Sequence, residues 1–178
     1  MERERTLSIL VNDHPGVLAR IAGLFSRRWF NISSITVGAC ETQGMSRITI
    51  VSHGDDAMAR QMVSQVMKLV DVIEVADIST QKAVRRELAL IKVQSTKETR
   101  MDIAHILEPF RVATVDVGHH SLMVEITGDT EKIDALIALL TPYGIIEIAR
   151  TGVTALVRAG ADRGLTTEGE NEINGNVL

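Results

Sequence analysis

Cysteine occurs once in the 178 residues, at Cys40. A lone thiol excludes an intrachain disulfide, a CxxC redox pair and a cysteine-rich zinc site. Lying beside Ala39 in a strand-like run, it reads as a small buried apolar residue. Aromatics are also scarce, with only Phe25, Trp29, Phe30, Phe110 and Tyr143. The core must therefore be aliphatic, and a base-stacking platform for single-stranded nucleic acid is not supported. No apolar run approaches the ~20 residues needed to cross a bilayer. The opening Met1-Glu2-Arg3-Glu4-Arg5 lacks the apolar stretch of a signal peptide, so the expected location is the cytoplasm, with no membrane partner. With 19 Lys+Arg against 23 Asp+Glu, the net charge is −4. That balance argues against generic polyanion binding, and no nucleic-acid partner is expected.

What the sequence does have is an alternation of period-2 and period-3.6 patterns. Thr6 to Val11 alternates with Leu7, Ile9 and Val11 on one face, then breaks at Asn12-Asp13-His14-Pro15-Gly16. Val17, Ile21, Leu24 and Phe25 next mark one face of a helix, with Leu18 and Ala22 widening the stripe. Strand-like runs follow at Ile32 to Ala39 and Ser46 to Ser52, joined by a turn near Gly44. Gly54-Asp55-Asp56 introduces a helix carrying Met58, Met62, Val66 and Leu69, and Asp71 to Ser79 reads as a strand. The order is βαββαβ.

The same order starts again about 80 residues on. Leu88 to Val93 is a strand, and Ser95 with Glu98 has the spacing of a capping box before a helix bearing Ile103, Ile106, Leu107 and Phe110. Val112 to Val117 and Ser121 to Thr127 flank a His119-His120 turn; Asp129 precedes a helix with Ile133, Leu136, Ile137 and Leu140 that Pro142 and Gly144 end. Ile145 to Val157 supplies the last extended run. The fold class is α+β: two tandem ferredoxin-like βαββαβ units, at residues 4–80 and 81–158. Ser79 to Arg86 reads as the linker, and residues 159–178 as a disordered, acidic tail.

No catalytic residue emerges. Ser33 and Ser34 lack a GxSxG context, and no glycine-rich phosphate cradle is present. Of the histidines only His119 and His120 are close in sequence, and strand neighbours point to opposite faces, so no metal site is expected. Asp55-Asp56 reads as a helix cap. Arg85-Arg86-Glu87, mixed in sign, reads as a solvated strand start.

The informative segment is Asn12-Asp13-His14-Pro15-Gly16-Val17-Leu18. Proline presets the first turn of a helix, and Gly16 leaves bare the place where free backbone N–H groups emerge. Such donors, with the helix dipole, suit a carboxylate. Asn12 or Asp13 at the edge could accept from an ammonium, and Val17 or Leu18 could meet an aliphatic side chain. The same residues also make a plain cap and turn. From the residues alone, three classes stay open: an amino-acid- or metal-sensing dimer acting through another protein such as a transcription factor, a small enzyme, and a regulatory partner. There is no helix-turn-helix or basic stripe to touch DNA directly.

The run Val11-Asn12-Asp13-His14-Pro15-Gly16-Val17-Leu18-Ala19-Arg20 within βαββαβ resembles an ACT domain, a ferredoxin-like amino-acid-binding module. Gly23-Leu24-Phe25-Ser26-Arg27-Arg28, Phe30-Asn31-Ile32-Ser33-Ser34-Ile35-Thr36-Val37-Gly38, Met45-Ser46-Arg47-Ile48-Thr49-Ile50, Lys68-Leu69-Val70-Asp71-Val72, Arg86-Glu87-Leu88-Ala89-Leu90-Ile91-Lys92-Val93 and Glu147-Ile148-Ala149-Arg150-Thr151-Gly152 are similar to the small regulatory subunits of acetolactate synthase (acetohydroxyacid synthase). The resemblance spans Thr6 to Arg158. It implies a noncatalytic subunit that stimulates a thiamine-diphosphate catalytic (large) subunit and confers feedback inhibition by branched-chain amino acids, usually valine. This chain would carry no cofactor; thiamine diphosphate, Mg and FAD would sit on the catalytic partner. It further implies a homodimer through the ACT domains, with Asn12, Asp13, His14, Gly16, Val17 and Leu18 of one chain facing Asn31, Ile32 and Gly38 of the other. Two positions depart from the family pattern. Asp13 stands where Asn is common, a charge that favours an ammonium and disfavours a carboxylate. Trp29 stands where Gly is usual, at a cost of about 1 kcal/mol if the position requires φ > 0.

Overall fold

The computed structural model describes residues 2–160. The chain forms two units, one grouping residues 2–33, 37–82 and 157–160 and the other residues 34–36 and 83–156, each built on one βαββαβ repeat. Unit 1 runs β1 (Arg3–Asn12), α1 (Val17–Arg27), β2 (Ile32–Ala39), β3 (Met45–Gly54), α2 (Asp56–Val66) and β4 (Val72–Asp77). Unit 2 runs β5 (Ala83–Gln94), α3 (Arg100–Leu107), β6 (Ala113–Val117), β7 (Ser121–Gly128), α4 (Thr130–Leu140), β8 (Ile145–Arg150) and β9 (Thr154–Val157). The sheet orders are β2-β3-β1-β4 and β6-β7-β5-β8, with β9 added beside β5. Each is an antiparallel ferredoxin-like sheet, so the expected tandem βαββαβ architecture is what the molecule has.

Alternation in the central strands sets the core. In unit 1, Leu7 lies opposite Ile50 and Ile9 opposite Ile48, and all four are fully buried. Onto this face α1 places Val17, Ile21, Leu24 and Phe25, and α2 places Ala59, Met62 and Val66. Each large aliphatic chain so buried contributes roughly 1.5–3 kcal/mol. Phe25 meets Phe30 edge-to-face at 5.7 Å, closing the end of α1. Unit 2 repeats the plan with Ala89, Ile91 and Val93 against Leu122, Val124 and Ile126, covered by Ile103, Leu107, Ile133, Leu136 and Leu140.

Several local expectations are corrected. β5 begins at Ala83, taking in residues read as linker. The Ser95/Glu98 capping box does not form: Thr99 precedes α3, and Thr96 and Thr99 instead exchange bonds, each hydroxyl accepting from the other's backbone N–H. The Thr96 hydroxyl also bonds the Glu98 carboxylate, the main cause holding it below its usual range. Phe110 lies in a 3-10 turn beyond α3. The last extended run is two strands, interrupted at Gly152, where φ is +84°. Cys40 sits just past β2 and is half-exposed. On β2 itself Val37 and Ala39 are exposed, because β2 is the free edge of its sheet. The proposed tail falls outside the described residues beyond Gly160.

Candidate functional site

The start of α1 is built by its neighbours on both sides. The Asn12 N–H donates to the Asp71 carbonyl at 2.9 Å, and the Asp13 N–H to the Gly44 carbonyl at 2.8 Å. These bonds fix the chain as it leaves β1, and Gly16 then turns it into the helix with φ +94°. That conformation is left-handed, which glycine adopts freely and other residues do not. A Cβ here would meet nothing closer than Arg20 Nη2 at 3.8 Å. Open space, rather than crowding, surrounds the position. No side chain caps the helix, and among the described residues none offers an acceptor to the Leu18 or Ala19 N–H. The first turn thus exposes unpaired donors at the positive end of the helix dipole.

Around this opening Asn12, Asp13 and His14 are exposed; the His14 ring is engaged by Asp71. Val17 is buried in the core and contributes only main chain to the loop. Leu18 is 43% exposed, so it does not widen the buried stripe and is the apolar side chain a ligand could meet. The sequence reading missed Asp71 and Arg20. Asp71 is buried; its carboxylate accepts from Arg20 Nη1, and His14 Nε2 lies 2.8 Å from its other oxygen.

The second set of expected residues lies elsewhere in the protomer. Asn31 immediately precedes β2, its carbonyl held by the buried Ser52 hydroxyl at 2.6 Å. Ile32 opens the strand, half-buried, and Gly38 is exposed near its other end. β2 and β3 form a hairpin across Cys40 and Met45, so β2 runs parallel to β1, with β3 between them. Asn31 and Ile32 are therefore at the end of the sheet away from Gly16, roughly 25 Å along the strand direction. Gly38 is at the near end, two strand spacings or about 10 Å across. One protomer does not bring the two sets together.

In unit 1 the chain also turns from α1 toward β2 through Trp29, with φ +58° and 93% exposure. The position does take the left-handed conformation, so the cost expected for a non-glycine residue applies. A cavity of about 770 Å³ lies away from the α1 start, lined by Arg5, Asp56, Arg60, Val63, Met67 and Asp77 among others. Its charges largely satisfy one another. Buried Arg5 bonds Asp56 and the Gly54 carbonyl, and Arg5 and Arg3 together hold the Asp56 carboxyl down to about 2. Asp55 caps α2, accepting from the Met58 N–H at 2.8 Å, while Asp56 serves these ion pairs rather than a cap.

Unit 2 has no counterpart of the Pro-Gly opening. Glu87, read as part of a solvated strand start, is buried and held by both sides of the Arg150 guanidinium at 2.7 Å. That contact raises the Arg150 pKa, with Asp134 adding a second carboxylate. Among the described residues no group of three or more His, Cys, Asp and Glu is placed to hold a metal, and no helix is long and apolar enough to cross a membrane.

Comparison with known proteins adds the lineage. Residues 7–74 match a family model described as an AHAS small subunit-like ACT domain, and residues 86–159 one described as the small subunit of acetolactate synthase. The acetolactate synthase small subunit of Bacillus subtilis is 52% identical over 156 residues, covering 87% of this chain and 91% of that protein. The chain belongs to the acetolactate synthase small-subunit family. A probable acetolactate synthase small subunit of Archaeoglobus fulgidus is 48% identical, across 87% of this chain and 97% of its own. The crystal structure of the Thermotoga maritima acetolactate synthase small subunit superposes with a TM-score of 0.81 at 44% identity, over 88% of this chain and 98% of that one. The family's ACT match contains the whole Asn12–Leu18 loop.

Proposed function

We propose that this chain is the noncatalytic regulatory subunit of acetolactate synthase, stimulating a catalytic large subunit and making it sensitive to a branched-chain amino acid, valine first. Catalysis, with thiamine diphosphate, Mg and FAD, belongs to the large subunit, and the assembly works in the cytoplasm. The observation that carries the effector role is the uncapped start of α1: bare Leu18 and Ala19 N–H groups beside a glycine at φ +94°. The carboxylate of valine takes those donors, its ammonium faces Asn12 or Asp13, and its side chain rests on Leu18.

Magnitudes favour a site shared by two chains. A helix-terminus carboxylate contact contributes roughly 0.3–1 kcal/mol, up to about 2 when partly buried. Burying a Val-sized side chain adds about 1.5–3 kcal/mol, whereas micromolar binding needs about 8 kcal/mol. The remainder comes from a second copy. β2 is the edge strand of its sheet with Val37 exposed, and an antiparallel pairing of two β2 edges carries Asn31 and Ile32 of the partner chain toward the end of the sheet where α1 starts, while the Gly38 nearest that start is the protomer's own. Asn31 supplies a neutral hydrogen-bond partner and Ile32 an apolar wall. Feedback then needs an effector preference of about 1–3 kcal/mol between two arrangements of the complex.

Gly16→Asp tests the site. It sets a carboxylate against the effector's own and forces a side chain into left-handed backbone. Assayed with the catalytic subunit over a valine series, the substituted protein is expected to lose feedback inhibition while still stimulating the enzyme. Full valine sensitivity in that protein would remove the loop from the account.

A further inference from the structure

Each unit pins the loop after its first strand with the same pair of main-chain bonds. In unit 1 the Asn12 N–H donates to Asp71 and the Asp13 N–H to Gly44; in unit 2 the Gln94 N–H donates to Gly144 at 2.8 Å and the Ser95 N–H to His120 at 3.0 Å. Asp71 and Gly144 therefore occupy equivalent corners, each just before the last strand of its βαββαβ. At Gly144 φ is +92°, and a Cβ would lie 3.0 Å from the Gln94 side chain. Unit 2 makes this corner with no side chain at all.

Unit 1 places a carboxylate there, and its side chain is only 6% exposed. A buried carboxylate costs several kcal/mol of desolvation unless it is paired, and its twin shows that the fold does not require one. Its partners are His14, two residues before Gly16, and Arg20, one helical turn after it. The carboxylate thus spans the helix opening and fixes both flanks. Arg20 uses Nη1 for Asp71, while Nη2 stands where it would lie 3.8 Å from a Cβ added to Gly16. Its ion pair thus tethers the cation near the open side of Gly16.

We propose that Asp71 is the positioning residue of the effector loop, holding the Arg20 guanidinium at the opening of α1 for a carboxylate ligand, with His14 packed on the other side of the same carboxylate. This rests on the reading of that opening as the effector site. The partners are 51 residues apart in sequence for Arg20 and Asp71, and the assignment comes from the corner equivalence and the burial together.

The test is calorimetric titration of valine into the purified full-length chain and four variants: Asp71→Asn, Arg20→Gln, the two combined, and Gly16→Asp. Asp71→Asn and Arg20→Gln are each expected to weaken valine binding at least about tenfold, and the double variant to be no weaker than the worse single one, as residues acting as a unit behave. A merely structural role for Asp71 would give additive losses, and that result overturns the proposal. So does unchanged affinity in Asp71→Asn when Gly16→Asp has lost binding. Undiminished binding in Gly16→Asp would instead overturn the effector-site reading beneath it. Should Asp71→Asn fail to fold, Arg20→Gln decides, since that side chain is half-exposed and wild-type affinity there overturns the proposal.

Discussion

Unit 1 and unit 2 fold the same way and differ at the start of their first helix. In unit 1 the loop passes through Gly16 and leaves the first-turn N–H groups of α1 open. In unit 2 the corresponding loop closes on itself, with the Thr96 and Thr99 hydroxyls each accepting a backbone N–H and the Arg100 side chain turned back to Ser95 and to the Gly118 carbonyl. One scaffold thus carries a loop opened by glycine and a copy whose loop is tied to itself, although among the described residues no side chain caps the Met101 and Asp102 N–H groups of α3 either. The difference lies in a handful of loop residues, while the sheet, the helices and the pinning bonds are shared.

Substitutions can break that equivalence or sharpen it. The largest effect should come from the shared core: Ile9→Ala in β1 and Ile91→Ala in β5 remove fully buried side chains at matching places. Each should cost about 2–5 kcal/mol in denaturant unfolding. A loss below about 1 kcal/mol in one of them would mean that the two cores are not equivalent. Thr99→Ala removes the acceptor of the Thr96 N–H in the loop before α3 and should cost about 1 kcal/mol with valine inhibition unaltered. A changed valine response would assign effector binding to the wrong unit.

Smaller still is the relief of backbone strain. Trp29 at φ +58° and Arg111 at φ +53° follow the first helix of their respective units and precede the second strand. Replacing either by Gly should raise stability by about 0.5–1 kcal/mol, measured as a shift in Tm. A drop in Tm for Trp29→Gly would show that its exposed ring is used by the folded protein after all. The last effect is confined to acid. Asp56 is lowered from 3.8 to about 2 by Arg5 and Arg3, so the stability it contributes is complete above about pH 4 and is lost as the pH falls toward 2. In Asp56→Asn the Tm should fall less steeply over that interval than in the unsubstituted protein, and parallel profiles would disprove the ion-pair assignment.

The strand and helix order was legible because Leu7, Ile9 and Val11 alternate while Val17, Ile21, Leu24 and Phe25 recur at helical spacing. The Gly16 opening was legible because it is written in consecutive residues. Asp71 was not, since its value depends on partners brought from the other end of unit 1. Glu87 escaped for the same reason: its partner Arg150 is 63 residues away, and beside Arg85 and Arg86 it looked like one more surface charge. The Thr96–Thr99 closure defeated a correct-looking capping pattern, because Ser95 is pinned by its backbone to His120 and buried. It could not then cap the helix that follows. Exposed Val37 on β2 belongs to an edge whose cover, if the proposed pairing holds, lies on another copy of the chain.

The most direct measurement is a valine titration of the uniformly 15N-labelled chain followed through its backbone amides. Leu18 and Ala19 should shift and saturate together, while Thr99 and Arg100 of unit 2 stay in place. Shifts confined to unit 2, or none at the α1 start with valine in excess, would contradict the account.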